Sequence, residues 1–218
     1  MLADTIIEKP AETLFKWALI LAYITVFYNV IEGAVSVFMG VKDETLSLFG
    51  FGIDSFVEVI SGIGIWHMLV RIQSKGEGDW DKFEKTALKI TGSAFYLLVA
   101  GLIATAVYNF AVGHKPETTF WGIIISIISI GSMSVLINYK LKVGRGLNSD
   151  AIIADANCTK TCLYLSIILL AASVGYELTG IGGIDSVGAL LIAYFSFKEG
   201  KEAFEKAKTG KHCSCEDD

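Results

Sequence analysis

Two pairs of side chains in apolar stretches of the sequence have the types and the spacing of metal ligands. Asp54 and Glu58 are four residues apart in one stretch, and Cys158 and Cys162 are four residues apart in another. Residues four apart share one face of a helix, so each pair would present two ligands side by side. An ionisable group inside an apolar span costs roughly 2.5 to 3.5 kcal/mol on insertion scales, so these carboxylates need a partner or a function.

The two pairs are predicted to lie at the same depth. Glu58 precedes Arg71 by 13 residues, and Cys158 follows Arg145 by 13 residues, while the other member of each pair is 17 residues from the same arginine. At about 1.5 Å per residue, both pairs would lie roughly 20 to 25 Å from those arginines. The sequence thus predicts a four-cornered site of two carboxylates and two thiols. Such ligands suit a tetrahedral ion such as Zn²⁺ better than Mg²⁺ or Ca²⁺.

Further polar residues are candidates for accessory roles. Asp155 shares the helix face of the two cysteines, which makes it a possible additional ligand. Asn29 and Glu32 belong to the first apolar segment and would serve either as a ligand or proton acceptor or in a bond between helices. Cys213 and Cys215 stand near the end of the chain, where they would capture metal or belong to a solvated tail without a function.

The elements that must position these residues are membrane-spanning helices. Of the 218 residues, 53% are hydrophobic and 19% are charged, and mean hydropathy is +0.55, whereas soluble domains have about 25% charged residues. A spanning helix needs roughly 20 apolar residues. Apolar segments occur at 14–40, 46–72, 87–112, 120–141, 151–178 and 184–197. They predict an all-α membrane protein, a six-helix bundle of consecutive antiparallel pairs.

The distribution of lysine and arginine predicts the orientation of this bundle. All but three of the 18 Lys and Arg residues lie on the side of both termini; Lys42 and Lys115 lie on the other side, and Lys160 lies within a segment. Because cytoplasmic loops carry the excess of positive charge, both termini are predicted to be cytoplasmic. The net charge of -5, without a basic face, argues against nucleic acid as a partner.

The predicted domain organisation is a six-helix transmembrane domain over residues 1–208. A short Cys/His/acidic cytoplasmic tail over 209–218 would follow, with no separate cytosolic domain. The first ten residues lack the basic region of a signal peptide. We therefore expect an integral membrane protein of a prokaryotic inner, or plasma, membrane.

The stretches around both pairs resemble those of the cation diffusion facilitator family of metal transporters. They read LFGFGIDSFVE at 48–58 and SDAIIADANCTKTC at 149–162. The resemblance implies six transmembrane helices and a metal site shared by helices two and five. Its ligands would be Asp54, Glu58, Cys158 and Cys162, with a Cys/Cys pair where the family usually has His or Asp followed by Asp. Asp185 is similar to the acidic residue that often opens the sixth helix.

These features predict a transporter that exports a divalent transition-metal ion in exchange for protons. The cargo would be Zn²⁺ or a similar soft ion such as Cd²⁺, with Fe²⁺ and Hg²⁺ as further possibilities. A free thiol, with a pKa near ~8.5, is mostly protonated at neutral pH, so metal and protons compete for it, and rocking of the bundle would give alternating access. We expect no prosthetic group and no enzymatic activity. The partners would be metal ions, protons, lipid and a second copy, joined through the transmembrane helices.

Two other functions remain open at this point. One is a membrane thiol-disulfide oxidoreductase that uses Cys158 and Cys162, although such enzymes usually have their cysteines two residues apart at an accessible helix end. The other is a membrane protein that binds metal without transporting it. Metal flux in liposomes distinguishes a carrier from a binder.

Overall fold

A computed structural model describes residues 11–75 and 82–209, and these residues form six helices and no strand. The helices are α1 (Ala11–Lys42), α2 (Leu46–Lys75), α3 (Lys82–Val112), α4 (Phe120–Leu147), α5 (Asp150–Thr179) and α6 (Gly183–Thr209). Within the described ranges, α1 to α5 are long and apolar enough to cross a membrane. The second half of α6, from Lys198 onward, is rich in charged residues. The predicted all-α membrane bundle is confirmed.

The helices pack mainly as three pairs, and one of these pairs differs from the prediction. α1 packs on α2 and α4 on α5, but the most extensive partner of α3 is α6. The expectation of consecutive pairs is therefore wrong for α3 and α6. A Cβ on Gly92 of α3 would lie 3.0 Å from the backbone oxygen of Gly200 in α6, and one on Gly200 would lie 2.9 Å from the ring of Tyr96. These small residues let the two helices approach closely.

α1 and α2 also approach closely, which brings polar groups of α1 onto the carboxylate-bearing face of α2. A Cβ on Gly52 would lie 2.7 Å from the backbone nitrogen of Val37, and one on Gly40 would lie 2.5 Å from that of Phe49. Any larger side chain at either glycine would push the helices apart. Asn29 of α1 consequently lies within hydrogen-bond distance of α2.

Two carboxylates tie the helices together at the end of the bundle where α2, α4 and α6 begin. Asp185 accepts hydrogen bonds from the backbone N–H of Leu46 (2.8 Å) and of Ser47 (3.1 Å) at the start of α2, and also from the Ser47 hydroxyl. Glu177 of α5 accepts one from the N–H of Thr119 (2.6 Å), just before α4. A carboxylate at a helix N-terminus satisfies free N–H groups and interacts favourably with the helix dipole. Asp185 therefore links the start of α6 to the start of α2.

The apolar core is divided along the bundle, and a polar cavity lies between its parts. One cluster contains Phe51, Phe95 and Leu165, and another, nearer the C-terminus of α6, contains Leu88 and Ala203. Phe95 of the first cluster and Leu88 and Ala203 of the second line the same cavity. The cavity thus interrupts the core between the two clusters.

Candidate functional site

This cavity, of about 60 Å³, is bordered by residues of α1, α2, α3, α5 and α6. Its lining includes Asn29 and the ionisable side chains of Glu58, Asp155, Cys158, Cys162, Glu199 and Lys206. A cavity needs roughly 10 to 15 Å³ of such space to hold one water molecule. The space is sufficient for an ion with part of its hydration shell.

Glu58 and Cys162 meet at the wall of this cavity. The thiol of Cys162 lies 2.7 Å from Oε1 of Glu58, to which it donates a hydrogen bond. The other carboxylate oxygen of Glu58 accepts a hydrogen bond of 3.0 Å from Nδ2 of Asn29. One carboxylate therefore joins α1, α2 and α5, and it brings together one predicted ligand from each of the two pairs.

The register of this contact differs from the prediction by one helical turn. The sequence count aligned Glu58 with Cys158, whereas the structure aligns it with Cys162. The count from Arg145 passed through the connection between α4 and α5, where Asn148 has a left-handed backbone (φ 48°). These turn residues do not advance along α5, which begins at Asp150. Counted from that residue, Cys162 is 12 residues into the helix, whereas the count from Arg145 gave 17.

The other two predicted ligands lie on either side of this contact. Asp54, one turn before Glu58, is buried outside the cavity lining and accepts a hydrogen bond of 2.7 Å from the Ser196 hydroxyl of α6. Cys158 lies one turn from Cys162, with its sulfur 3.3 Å from Nζ of Lys206. Among the described residues, no three His, Cys, Asp or Glu side chains are grouped closely enough to hold a metal ion. The structure thus brings two of the four predicted ligands into contact, and the others have partners on α6.

Asp155, a predicted accessory ligand, is engaged by a lysine. Its carboxylate lies 2.9 Å from Nζ of Lys140, whose side chain is 1% exposed and also donates to the Thr159 hydroxyl at 3.0 Å. The sequence analysis counts Lys140 among the positive charges on the side of both termini, at the end of the segment predicted over 120–141. α4 continues to Leu147, and Lys140 points to α5.

The remaining accessory candidates fall into three groups. Asn29 is 2% exposed, and while its Nδ2 bonds to Glu58, its Oδ1 is buried without a hydrogen-bond partner. Glu32 is buried outside the cavity lining and accepts hydrogen bonds from Tyr28 (2.8 Å) and Ser55 (3.3 Å). Cys213 and Cys215 lie outside the described residues.

Sequence reasoning missed the contribution of α6. Ser196 bonds to Asp54, and Glu199 and Lys206 line the cavity. The predicted sixth apolar segment ends at 197, and the sequence analysis assigns no site role to the charged residues that follow it. Their signal is helical spacing, because positions 196, 199, 203 and 206 recur every three or four residues and share one helix face.

Known proteins match this chain over most of its length. The family described as the cation efflux transmembrane domain matches residues 18–208. The manganese efflux system protein MneP of Bacillus subtilis is 27% identical over 194 residues, which cover 81% of this chain and 63% of that protein. An uncharacterized transporter of Methanocaldococcus jannaschii is 26% identical over 170 residues, which cover 76% of this chain and 59% of that protein. The chain spans less than two thirds of the length of these two relatives. By the extent of the family match, the chain belongs to the cation efflux family of membrane transporters.

Proposed function

We propose that this protein exports a divalent transition-metal ion through a site built around Glu58 and Cys162. The contact of 2.7 Å between the Cys162 thiol and the Glu58 carboxylate, on the wall of a polar cavity, carries the proposal. The two groups belong to different helices, and both lie within membrane-spanning segments, where an ionisable side chain is costly. A cation that binds between them would supply the charge that the carboxylate and a thiolate require.

Asp54 and Cys158 would complete the ligand set after a small change in the contacts of α6. Asp54 is bonded to Ser196, and Cys158 to Lys206, so a shift of α6 relative to α2 and α5 would release both. The side-chain oxygen of Asn29 would be a further metal ligand, because this Oδ1 lies buried beside Glu58 without a hydrogen-bond partner. In this proposal the ion is bound when these groups converge.

Proton exchange follows from the chemistry of the proposed ligands. A cysteine binds metal as the thiolate, so an arriving ion displaces the thiol proton that Cys162 donates to Glu58. Protons that bind from the opposite side of the membrane would then displace the ion. We therefore propose antiport with alternating access, in which the helices rock around the cavity.

Two ions are candidates for the cargo. The thiols of Cys158 and Cys162 favour Zn²⁺ or a similarly soft ion such as Cd²⁺. Mn²⁺ is the second candidate, because the relative from Bacillus subtilis is named a manganese efflux protein and because Asp54, Glu58 and Asn29 offer the oxygen donors that Mn²⁺ accepts. A homodimer formed through the transmembrane helices stays a prediction.

Metal flux into proteoliposomes with an imposed pH gradient tests the proposal. We expect Glu58→Gln to abolish flux of Zn²⁺, Cd²⁺ and Mn²⁺. Cys162→Ser should reduce flux of Cd²⁺ and Zn²⁺ by about tenfold or more, since the loss of one good ligand costs at least 1.4 kcal/mol, and it should reduce Mn²⁺ flux less. Glu205→Gln, which changes an exposed carboxylate on α6, is the matched control. Wild-type flux in both site variants would reject this site.

The same experiment separates the remaining function classes. Cation efflux proteins are transporters and not enzymes, which removes the thiol-disulfide oxidoreductase as an alternative. A protein that binds metal without moving it would show saturable binding in detergent but no flux in liposomes. Flux that needs the pH gradient supports antiport, and flux that is indifferent to it would contradict that part of the proposal.

A further inference from the structure

We propose that Lys206 is a tethered cation that competes with the transported ion for the Cys158 end of the cavity. The inference rests on the proposed function in one respect, the role of Cys158 as a ligand. It adds a residue on α6 that weakens metal binding and so promotes release of the ion.

The ammonium of Lys206 occupies the position next to the sulfur. Its Nζ lies 3.3 Å from Sγ of Cys158 and 2.8 Å from a carboxylate oxygen of Glu202, and the side chain is 12% exposed. Another lysine of the same helix, Lys201, is 67% exposed and pairs with Glu205 on the surface. Lys206 therefore directs its charge inward, toward a thiol, where Lys201 directs its charge outward.

The charge balance of the cavity makes this lysine distinctive. Among the described residues that line the cavity, Lys206 is the one cationic side chain. Glu58 and Glu199 contribute carboxylates to the same lining, while Asp155 is already paired with Lys140 from outside it. The ammonium thus lies in the same cavity lining as the carboxylates that a divalent ion would use, and it contacts the sulfur of Cys158 directly.

Metal binding at Cys158 requires the ammonium to move. A zinc-type ion binds a thiolate at about 2.3 Å, so an ammonium 3.3 Å from the same sulfur would repel the incoming double charge. Glu202 lies one turn before Lys206 on the same helix and forms a salt bridge with it. The Lys206 ammonium can therefore remain paired with the Glu202 carboxylate when it moves away from the sulfur. The flexible four-carbon stem of lysine permits this movement.

Such competition suits a carrier with two thiols. An ion must bind well enough to enter a transport site and weakly enough to leave it, and thiolates bind soft ions tightly. A cation that returns to Cys158 when the ion departs would favour release. The proposal therefore makes an unusual prediction, that removal of Lys206 tightens metal binding.

The test compares Lys206→Gln with Lys206→Arg, which keeps the charge, and with Lys201→Gln as the matched exposed control. Cd²⁺ and Zn²⁺ affinities are measured by calorimetry in detergent, and maximal flux is measured in proteoliposomes. We expect Lys206→Gln to lower the dissociation constant by about tenfold or more and to lower maximal flux, with Lys206→Arg near wild type and Lys201→Gln unchanged. If Lys206→Gln does not fold, Lys206→Met, which keeps the apolar stem, takes its place.

Unchanged or weaker affinity in folded Lys206→Gln or Lys206→Met would overturn the inference, because a purely structural lysine gives that result. Cys158→Ala distinguishes this failure from failure of the proposed site. Loss of affinity in Cys158→Ala with no tightening in Lys206→Gln would reject the competition alone. Wild-type affinity in Cys158→Ala would reject Cys158 as a ligand, and the competition with it.

Discussion

The side-chain oxygen of Asn29 is suited to binding a cation. Its Nδ2 donates to Glu58, but its Oδ1 is buried without a partner. A buried polar group without a hydrogen bond costs about 1 to 3 kcal/mol. Oxygen that is held beside a carboxylate, at the wall of a polar cavity, would regain this free energy by binding a metal ion.

We expect Asn29→Ala to weaken metal binding by about tenfold, which is the effect of losing one oxygen ligand worth 1.4 kcal/mol. The increase in unfolding temperature that Zn²⁺ or Mn²⁺ produces should shrink accordingly. Asn138→Ala is the control, since Asn138 is an exposed asparagine of α4 that bonds to its own helix at the oxygen of Ser134. Equal metal-induced stabilisation in wild type and Asn29→Ala would show that Asn29 only packs against Glu58.

At the scale of elements, α4 and α5 are joined so closely that we expect them to move as one unit. Gly144 of α4 faces Ile153, where a Cβ would lie 2.9 Å from that side chain. Further along, the Ser129 and Ser166 hydroxyls are hydrogen-bonded at 2.8 Å. The ion pair of Lys140 and Asp155 lies on the same interface. α2 and α6 would then move relative to this pair during transport.

The ion pair between α4 and α5 gives a direct test of Asp155. Lys140→Met should destabilise the protein by about 3 kcal/mol, the low end for a broken buried pair, because it removes the buried cation beside the Asp155 carboxylate, which is 14% exposed. The double variant Lys140→Met, Asp155→Leu should recover most of this loss, as a buried ion pair can be replaced by apolar residues at little cost. Thermal unfolding in detergent measures both effects. Full metal flux in the double variant would show that Asp155 has only a structural role. Loss of flux in a stable double variant would indicate that Asp155 is a metal ligand.

The sequence predicts the elements better than their arrangement. Long apolar runs reveal the helices, and turn residues such as Asn148 and Gly180, which have left-handed backbones, end α4 and α5. The pairing of α3 with α6 depends on Gly92 and Gly200 facing each other, and no periodicity in a single sequence indicates which glycines will meet. The shift from Cys158 to Cys162 opposite Glu58 arises for a related reason, because residue counts do not separate turn residues from helical ones.

The side chains that contact the site residues are harder still to predict from the sequence. Spacing alone identifies Asp54 with Glu58, and Cys158 with Cys162, as pairs on one face. Lys206 is absent from the predicted site residues, since an apolar criterion ends the sixth segment at 197. The first half of α6 is apolar, and its second half is rich in charged residues. Glu199 and Lys206, which line the cavity, therefore lie beyond the part of α6 that an apolar criterion detects.

The whole molecule is an integral membrane protein with two unlike ends. Together with its prokaryotic relatives, the family match supports a location in a prokaryotic plasma membrane. At one end, carboxylates of Asp185 and Glu177 fix the starts of α2 and α4. Toward the other end, where α6 finishes, lies the cavity with Glu199 and Lys206. That end is predicted to be cytoplasmic, so we expect an ion to enter the cavity from the cytoplasm.

The last prediction concerns the effect of residues 212–218 on metal flux. Lys206 lines the cavity, so Cys213 and Cys215 follow a cavity residue closely in the sequence, although the four proposed ligands all lie earlier in the chain. Tethered ligands raise the local metal concentration without new contacts in the site, and deletion of 212–218 should raise the Zn²⁺ concentration for half-maximal flux by about three- to tenfold. Maximal flux in proteoliposomes should stay near wild type.

Replacing Cys213 and Cys215 with serine is the matched control for the deletion, since it removes the thiols and keeps the length. If the thiols act by capturing metal, this variant and the deletion should shift the half-maximal concentration equally. A shift in the deletion alone would assign the effect to the other residues of the segment, among which His212 and the acidic end could bind metal. Complete loss of flux in a well-inserted deletion variant would place the segment within the transport path, because capture alone affects the concentration required and leaves turnover at saturation intact.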